Sequence, residues 1–248
     1  MEDCKEGRLF VVSTPIGNLA DITLRALETL KSVDLIAAED TRHTRGMLAH
    51  FDIHTPLTSF HAFNEHGKCD ALLDRAARGE KVALVCDAGT PGIADPGFLL
   101  VREARKRNIP VEIVPGVSAL TFAATASALP IDRFSFRGFP PVKSGRRKKF
   151  FDELSQSPET VFFYESPYRI NGALNELLRA CGPERPVSII REATKLHEEI
   201  ITLPIGELLQ QTASRTWKGE FVIGVGPGTP STGTNAAPEE DTHSPDRE

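Results

Sequence analysis

From Arg8 to Val225, short unbroken apolar runs alternate with segments of helical spacing, and this alternation constrains the fold more than any other feature. A run such as Lys81-Val-Ala-Leu-Val-Cys86, apolar on both faces, belongs to a strand covered on both sides. Strands of that kind need helices above and below, which gives an α/β protein with mainly parallel sheets. Arg8–Ser13, Asp34–Ala38, Leu57–Phe60 and Val111–Val114 read as further strands. Leu24, Leu27 and Leu30 mark a helix from Ile22 to about Val33, with Asp21 as its cap. Helices are also expected over Thr41–Phe51 and Glu65–Arg78. Another opens at Asp95-Pro96, cap and first helical residue, and runs to Arg107. The pattern resumes after Pro115-Gly116 and continues to Glu220–Val225. Two unlike α/β domains are therefore expected, over 8–116 and 117–227. Residues 228–248 are rich in Gly, Pro and acidic residues and lack the apolar groups that offset ordering entropy, so a disordered tail is expected there.

Bulk properties limit what such a chain does. Its 248 residues suffice for a substantial core. The start, Met1-Glu-Asp-Cys-Lys-Glu6, is acidic where a secretory signal needs a basic stretch, and no segment approaches a membrane span. The four cysteines, Cys4, Cys69, Cys86 and Cys181, form no C-x-x-C pair and fit reduced thiols in a cytoplasmic protein. A net charge of −5 argues against wholesale coating of nucleic acid but leaves room for a local basic patch.

The chemistry concentrates in the turns that follow strands, where ligands of open α/β sheets bind. Four are unusually rich: Ser13-Thr-Pro-Ile-Gly-Asn-Leu19, Asp87-Ala-Gly-Thr-Pro-Gly-Ile-Ala-Asp-Pro-Gly97, Pro115-Gly-Val-Ser-Ala119 and Phe163-Tyr-Glu-Ser-Pro-Tyr-Arg169. None is a G-x-G-x-x-G or a P-loop, so a phosphate-bearing nucleotide is not the natural ligand. Stiff Pro- and Gly-rich loops let main-chain groups approach an uncharged adenosine. Singly, such loops are ordinary tight turns; four together point to a ligand cleft.

These turns, with Ala38-Glu-Asp-Thr-Arg-His-Thr44 and Arg191-Glu-Ala-Thr-Lys195, occur in an order that resembles the ribosomal RNA small subunit methyltransferase I family, the cytidine-2′-O enzymes of the tetrapyrrole-methylase superfamily. The resemblance covers roughly residues 8–226. It implies two α/β domains with S-adenosylmethionine between them, a homodimer, and the small ribosomal subunit with its 16S rRNA as substrate. By position it implies that Pro15, Thr90, Ile93, Ser118, Ala119 and Tyr164 line the cofactor pocket, together with the loop residues Asp87, Gly89, Pro91 and Asp95. The superfamily's Gly-Asp-Pro triplet reads Gly89-Thr90-Pro91 here, which argues against a corrinoid substrate. Ser13 stands where proline is common, and Tyr168 where histidine is common.

A ribose hydroxyl is a poor nucleophile at neutral pH, so methyl transfer to it profits from a base and from collinear positioning. Asp40, His61 and Glu165 are candidate proton acceptors, while Arg42 and Lys195 are candidates to orient phosphate or stabilise an alkoxide. Alternatively Glu39, Asp40, Arg42, Arg191 and Glu192 form a structural ion-pair network at the domain junction. His61, His66 and Cys69 have partial metal-ligand spacing, but a fourth ligand is not apparent and no metal is expected. Lys143-Ser-Gly-Arg146-Arg147-Lys148-Lys149, in a loop leading into an amphipathic helix, gathers five cations that suit RNA phosphate contacts; Arg169 joins them as a candidate. A solvated helix start is the plainer reading, although cations oppose the dipole there. Two alternatives stay open: a methyltransferase for a small molecule such as a tetrapyrrole, and a non-catalytic ribosome-assembly factor.

Overall fold

The structure, a computed structural model, describes residues 7–228. Five strands form the first sheet: β1 (Arg8–Val12), β2 (Leu35–Ala38), β3 (Leu57–Ser59), β4 (Lys81–Val85) and β5 (Val111–Val114). Their order is β3-β2-β4-β1-β5 and every pairing is parallel. Parallel neighbours require crossovers, and the helices α1 (Leu24–Ser32), α2 (Thr41–His50), α3 (Glu65–Ala77) and α4 (Phe98–Lys106) supply them. Leu30 of α1 and Leu48 of α2 pack with Ile36 and Val85 on one face. Leu73 of α3 and Leu100 of α4 pack with Leu9 and Leu84 on the other. Residues such as Leu30, Leu73, Leu84 and Leu100 are fully buried. Each contributes about 1.5–3 kcal/mol against an exposed position.

The second sheet holds β6 (Phe134–Phe136), β7 (Thr160–Glu165), β8 (Pro186–Arg191), β9 (Glu199–Pro204) and β10 (Phe221–Val225), in the order β6-β7-β10-β8-β9. Here the expected parallel arrangement gives way: only β6 and β7 run parallel, and the other three pairings are antiparallel. The physical reason is connection length. β8 and β9 are joined by a seven-residue loop, too short for a crossover, and β10 enters from the opposite end between β7 and β8. Helices α6 (Ser144–Ser155), α7 (Ile170–Cys181) and α8 (Ile205–Thr212) cover one face through Phe151, Leu174 and Leu208. On the other face, α5 (Ala119–Ala126) covers only part of the sheet, setting Ala123 and Ala124 against Phe162, Ile190 and Val222.

Three element starts differ from expectation. Thr23, not Asp21, caps α1: its hydroxyl accepts from Ala26 N at 3.1 Å, and Asp21 lies in a preceding 3-10 turn. α4 begins two residues after Asp95-Pro96, at Phe98. Gly97, at φ +142°, becomes the cap residue, and its N–H donates to Glu65 Oε1 at 3.1 Å. α6 begins at Ser144, so the cations from Arg146 onward stand on the helix itself rather than in a loop. Of the expected tail, Gly228 donates to the Ser157 carbonyl at 2.8 Å, and the remainder lies outside the described residues.

Among the described residues no helix is long and apolar enough to cross a membrane. No group of three His, Cys, Asp or Glu side chains there could hold a metal ion.

Candidate active site

The loops after β1 and β4 are joined by the chain itself. Thr14 N donates to Gly89 O at 2.8 Å, and Gly89 N returns the bond at 3.1 Å. The Thr14 hydroxyl donates to the Cys86 carbonyl, and the Ser13 and Thr90 hydroxyls meet at 2.9 Å. Gly89, at φ +81°, makes the tight return that a residue with a Cβ would strain. Gly116, after β5, passes so close to Ser13 that an added Cβ would stand 2.9 Å from the Ser13 side chain.

These loops form one wall of a cleft of about 340 Å³ whose other wall is the second sheet. The first wall carries Ile16, Gly89, Thr90, Ile93, Asp95, Ser118 and Ala119. The second carries Phe139, Tyr164 of β7, Ile190 of β8, and Phe221 and Val222 of β10, with the turn Glu165-Ser166-Pro167 and the stretch Gly219–Glu220 at the rim. Tyr164 is fixed by ring contacts with Phe136 and Phe139, at 4.7 and 5.4 Å between centroids.

The charged residues along the cleft, Asp95, Glu165 and Glu220, are all acidic. Glu165 is buried against Arg147 and Arg169 and Glu220 is paired with Lys195, which leaves Asp95 without a cationic partner among the described residues. Burial, reinforced by Asp87, pushes the Asp95 carboxyl up against an opposing contact from the Cys86 thiol. Glu39 behind it is raised by burial and by Asp95 and Asp87. Burial first, then the same acidic surroundings, lift the Tyr164 phenol to about 12, so it is a neutral hydrogen-bonding group at any ordinary pH. Burial also raises the Cys86 thiol strongly, which keeps it protonated and unreactive. An apolar, acid-edged cleft suits a cationic nucleoside and opposes a phosphate. S-adenosylmethionine, an adenosine with a sulfonium and an ammonium, fits that donor set.

Seven of the expected cofactor residues line the cleft: Gly89, Thr90, Ile93, Asp95, Ser118, Ala119 and Tyr164. Pro15 and Pro91 are buried in the loops behind it. Asp87 accepts from Asp40 N at 2.9 Å and so ties the loop after β2 to the loop after β4. The second-sheet residues Ile190, Phe221 and Val222 escape a sequence reading because they alternate like any core strand. Phe139 follows Gly138 in a loop and carries no motif.

The candidate catalytic residues are dispersed, and only Glu165 reaches the cleft. Its side chain is fully buried, with Oε2 accepting from Arg147 and Oε1 pairing with Arg169, each at 2.9 Å; Oε1 also accepts from Ser166 N. Arg147 is thus turned inward, away from the solvent that Arg146, Lys148 and Lys149 face. Arg169 donates onward to the Pro140 carbonyl. Asp40 caps α2, accepting from Arg42 N and pairing with the Arg42 guanidinium, and these bonds hold its carboxyl far below the usual range. His61 opens the turn between β3 and α3: Nε2 lies 3.1 Å from Asn64 Nδ2, and the buried Nδ1 has no partner among the described residues.

Lys195 stands in the loop between β8 and β9, bonded to Glu192 at 3.0 Å and Glu220 at 2.8 Å. Burial pulls its ammonium down, but the two carboxylates outweigh that and the net shift is upward. Glu192 and Thr194 hold positive φ, at 51° and 66°, so this loop is strained. Across the cleft the Lys195 side chain presses on Gly17, where an added Cβ would meet its Cγ at 2.3 Å. Arg191 pairs instead with Glu199 and with the carbonyls of Lys218 and His197. Asp40–Arg42 and Glu192–Lys195–Glu220 are therefore separate clusters, with no ion pair joining them among the described residues.

The fold is that of a methylase class. The Tetrapyrrole (Corrin/Porphyrin) Methylases family model matches residues 8–209. Solved structures of the same fold include uroporphyrin-III C-methyltransferase from Thermus thermophilus complexed with S-adenyl homocysteine (TM-score 0.62, 21% identity, 89% of this chain and 97% of that one). The methyltransferase CobJ is another (TM-score 0.66, 20% identity, 89% and 94%). Among curated relatives, ribosomal RNA small subunit methyltransferase I of Synechocystis sp. is 45% identical over 224 residues, covering 90% of this chain and 80% of the relative. That of Vibrio cholerae is 48% identical over 217 residues, 87% and 75%. The chain belongs to the tetrapyrrole methylase family and, within it, to the ribosomal RNA small subunit methyltransferase I family.

Proposed function

We propose that the chain is a cytoplasmic S-adenosylmethionine-dependent methyltransferase that methylates the 2′-hydroxyl of a cytidine in small-subunit 16S rRNA, working as a homodimer. The observation that carries the reading is the cleft: largely apolar, with Asp95 as its unpaired carboxylate among the described residues, and walled by both sheets, in a chain nearly half identical to ribosomal RNA methyltransferases. When bound, S-adenosylmethionine supplies an electrophilic methyl group. Thr90, Ser118, Ala119 and the main chain at Gly89 hold the nucleoside part, Tyr164 and Val222 pack on it, and Asp95 and Glu220 favour its cationic end.

Holding the acceptor oxygen in line is the larger part of the acceleration, and excluding water from an apolar cleft assists it. Of the three candidate bases, Asp40 is committed to Arg42 and the end of α2, and Glu165 to two guanidinium groups. His61 is free of ion pairs and follows β3, the outermost strand of the first sheet, at the same carboxyl end as the cleft loops though outside the cleft lining. It takes the proton in this proposal. Arg42, well exposed, and Lys195 meet RNA phosphates. Exposed Lys143, Arg146, Lys148 and Lys149 position the RNA backbone. Along α6, Lys148 also pairs with Asp152 and Lys149 with Glu153, which steadies the helix.

The deciding experiment is transfer of labelled methyl from S-adenosylmethionine to unmodified small ribosomal subunits, followed by nuclease mapping. Label in a 2′-O-methylated cytidine is the expected result. Cofactor binding without label in the subunit would favour a small-molecule acceptor, and subunit binding without cofactor would favour an assembly factor.

A further inference from the structure

Beside the cofactor cleft lies a second cavity, of about 280 Å³, walled by the first turns of α3 and α4. Asp95 belongs to both walls, so the two cavities meet at that residue. Phe98, which lines the second cavity, is 68% exposed as a residue, far more than a core aromatic on an amphipathic helix. The Arg102 guanidinium carbon lies 5.5 Å from that ring's centre, one turn further along α4. Arg102 binds Glu103 through Nε, and its terminal nitrogens have no partner among the described residues. Glu65 reaches in from α3: Oε1 accepts from Gly97 N, and Oε2 has no partner among the described residues.

This set has a definite chemical complement. An exposed aromatic face beside a planar guanidinium suits a stacked base. A carboxylate acceptor near guanidinium donors matches the pairing edge of cytosine, whose exocyclic amine donates while its ring nitrogen and carbonyl accept. Uracil presents a carbonyl where cytosine presents the amine, which would set two acceptors face to face. Glu65 and Asp95 would repel a phosphate. A target nucleotide must be unstacked for its ribose to enter a methylating cleft, and an unstacked base needs a place close by.

We propose that this cavity is the nucleobase subsite and takes the cytosine of the target nucleotide. Phe98 is its stacking face, Glu65 accepts from the exocyclic amine, and Arg102 donates to the ring nitrogen and carbonyl. The inference rests on the ribose-methyltransferase reading above and deepens it by naming the residues that select the base.

The test is kcat/KM on small subunits, or on RNA fragments, carrying either cytidine or uridine at the mapped position. Glu65→Gln keeps an oxygen for Gly97 N, so the start of α4 stays capped while a donor is now available to face the base. It should reduce the preference for cytidine over uridine by about tenfold or more, with the KM for S-adenosylmethionine unchanged. Phe98→Ala should raise the KM for RNA about tenfold, again without a change in cofactor affinity, and thermal denaturation of both variants checks that they are folded. Methylation indifferent to both substitutions, with the cytidine preference intact, overturns the inference alone. A wild-type protein that labels no ribose overturns it together with the methyltransferase reading.

Discussion

The two walls of the cofactor cleft are built differently. The first is made of loops at the carboxyl ends of parallel strands, where glycines and prolines hold main-chain groups at the surface. The second is made largely of side chains on the face of a mixed sheet that α5 leaves partly uncovered, braced at the rim by the buried Glu165 carboxylate. A loop wall recognises through backbone geometry and is disturbed by any added Cβ. A sheet wall recognises through apolar area and is disturbed by loss of volume or of its brace.

The sharpest way to break this contrast is at Glu165. Glu165→Ala leaves Arg147 and Arg169 around an empty, buried position and should lower the unfolding free energy by about 3–5 kcal/mol, read from urea denaturation. Wild-type stability in that variant would mean that the brace supports nothing.

On the first wall, Gly89→Ala puts a Cβ at a φ of +81°, in the turn whose main chain pairs with Thr14. It should cost about 1–3 kcal/mol and weaken cofactor binding in calorimetry. Its counterpart on the second wall, Val222→Ala, should cost about 1.5 kcal/mol at roughly 0.8 per buried carbon group. If the alanine at 89 proved the milder of the two for cofactor affinity, the division of roles between the walls would be reversed.

Acidification separates the walls by charge. Because burial raises Asp95, it loses its charge at a higher pH than a free aspartate. The fold favours its protonated form, so this group's effect on stability is adverse once pH rises through its folded pKa and is relieved as pH falls. Cofactor binding runs the other way: affinity for the cationic ligand should fall on acidification as Asp95 and Glu39 are neutralised. Asp95→Asn should bind more weakly at neutral pH and show a flatter pH dependence. An affinity that rises on acidification contradicts the assignment.

The smallest effects are expected outside both walls. Arg146→Ala with Lys149→Ala should change stability by no more than about 0.5 kcal/mol. The same pair should reduce the salt dependence of RNA binding by about 0.7 in log–log slope for each phosphate that is no longer neutralised. Arg147→Ala, one position along, should destabilise without changing that slope, because its charge is used against Glu165.

The same contrast explains what is legible in the sequence. The first wall is, because a position such as Gly89 needs positive φ, and a Gly/Pro-rich turn after an apolar strand announces that need. The second wall is not, because Ile190, Phe221 and Val222 differ from core residues only in what α5 fails to cover. The antiparallel pairing of β10 is hidden for a similar reason, since a buried central strand is apolar on both faces whichever way it runs. Charged residues are the least legible. Arg147 and Arg146 are identical neighbours in sequence, and only the helical phase of α6 sends one to Glu165 and the other to solvent. The start of that helix at Ser144 is masked because cations in a first turn oppose the dipole, yet Lys148 and Lys149 find acids one turn on.

The contact between Lys195 and Gly17 has a mechanical consequence. The lysine side chain lies in the volume that any side chain at position 17 would fill, and its far end is anchored to Glu192 and Glu220. It works as a latch between the two halves, engaged in a slot that exists only because residue 17 has no Cβ. A hinge that swung the halves apart would have to withdraw it. Opening the halves and emptying that slot are thus one movement, while Leu196, the next residue, stands almost fully in solvent.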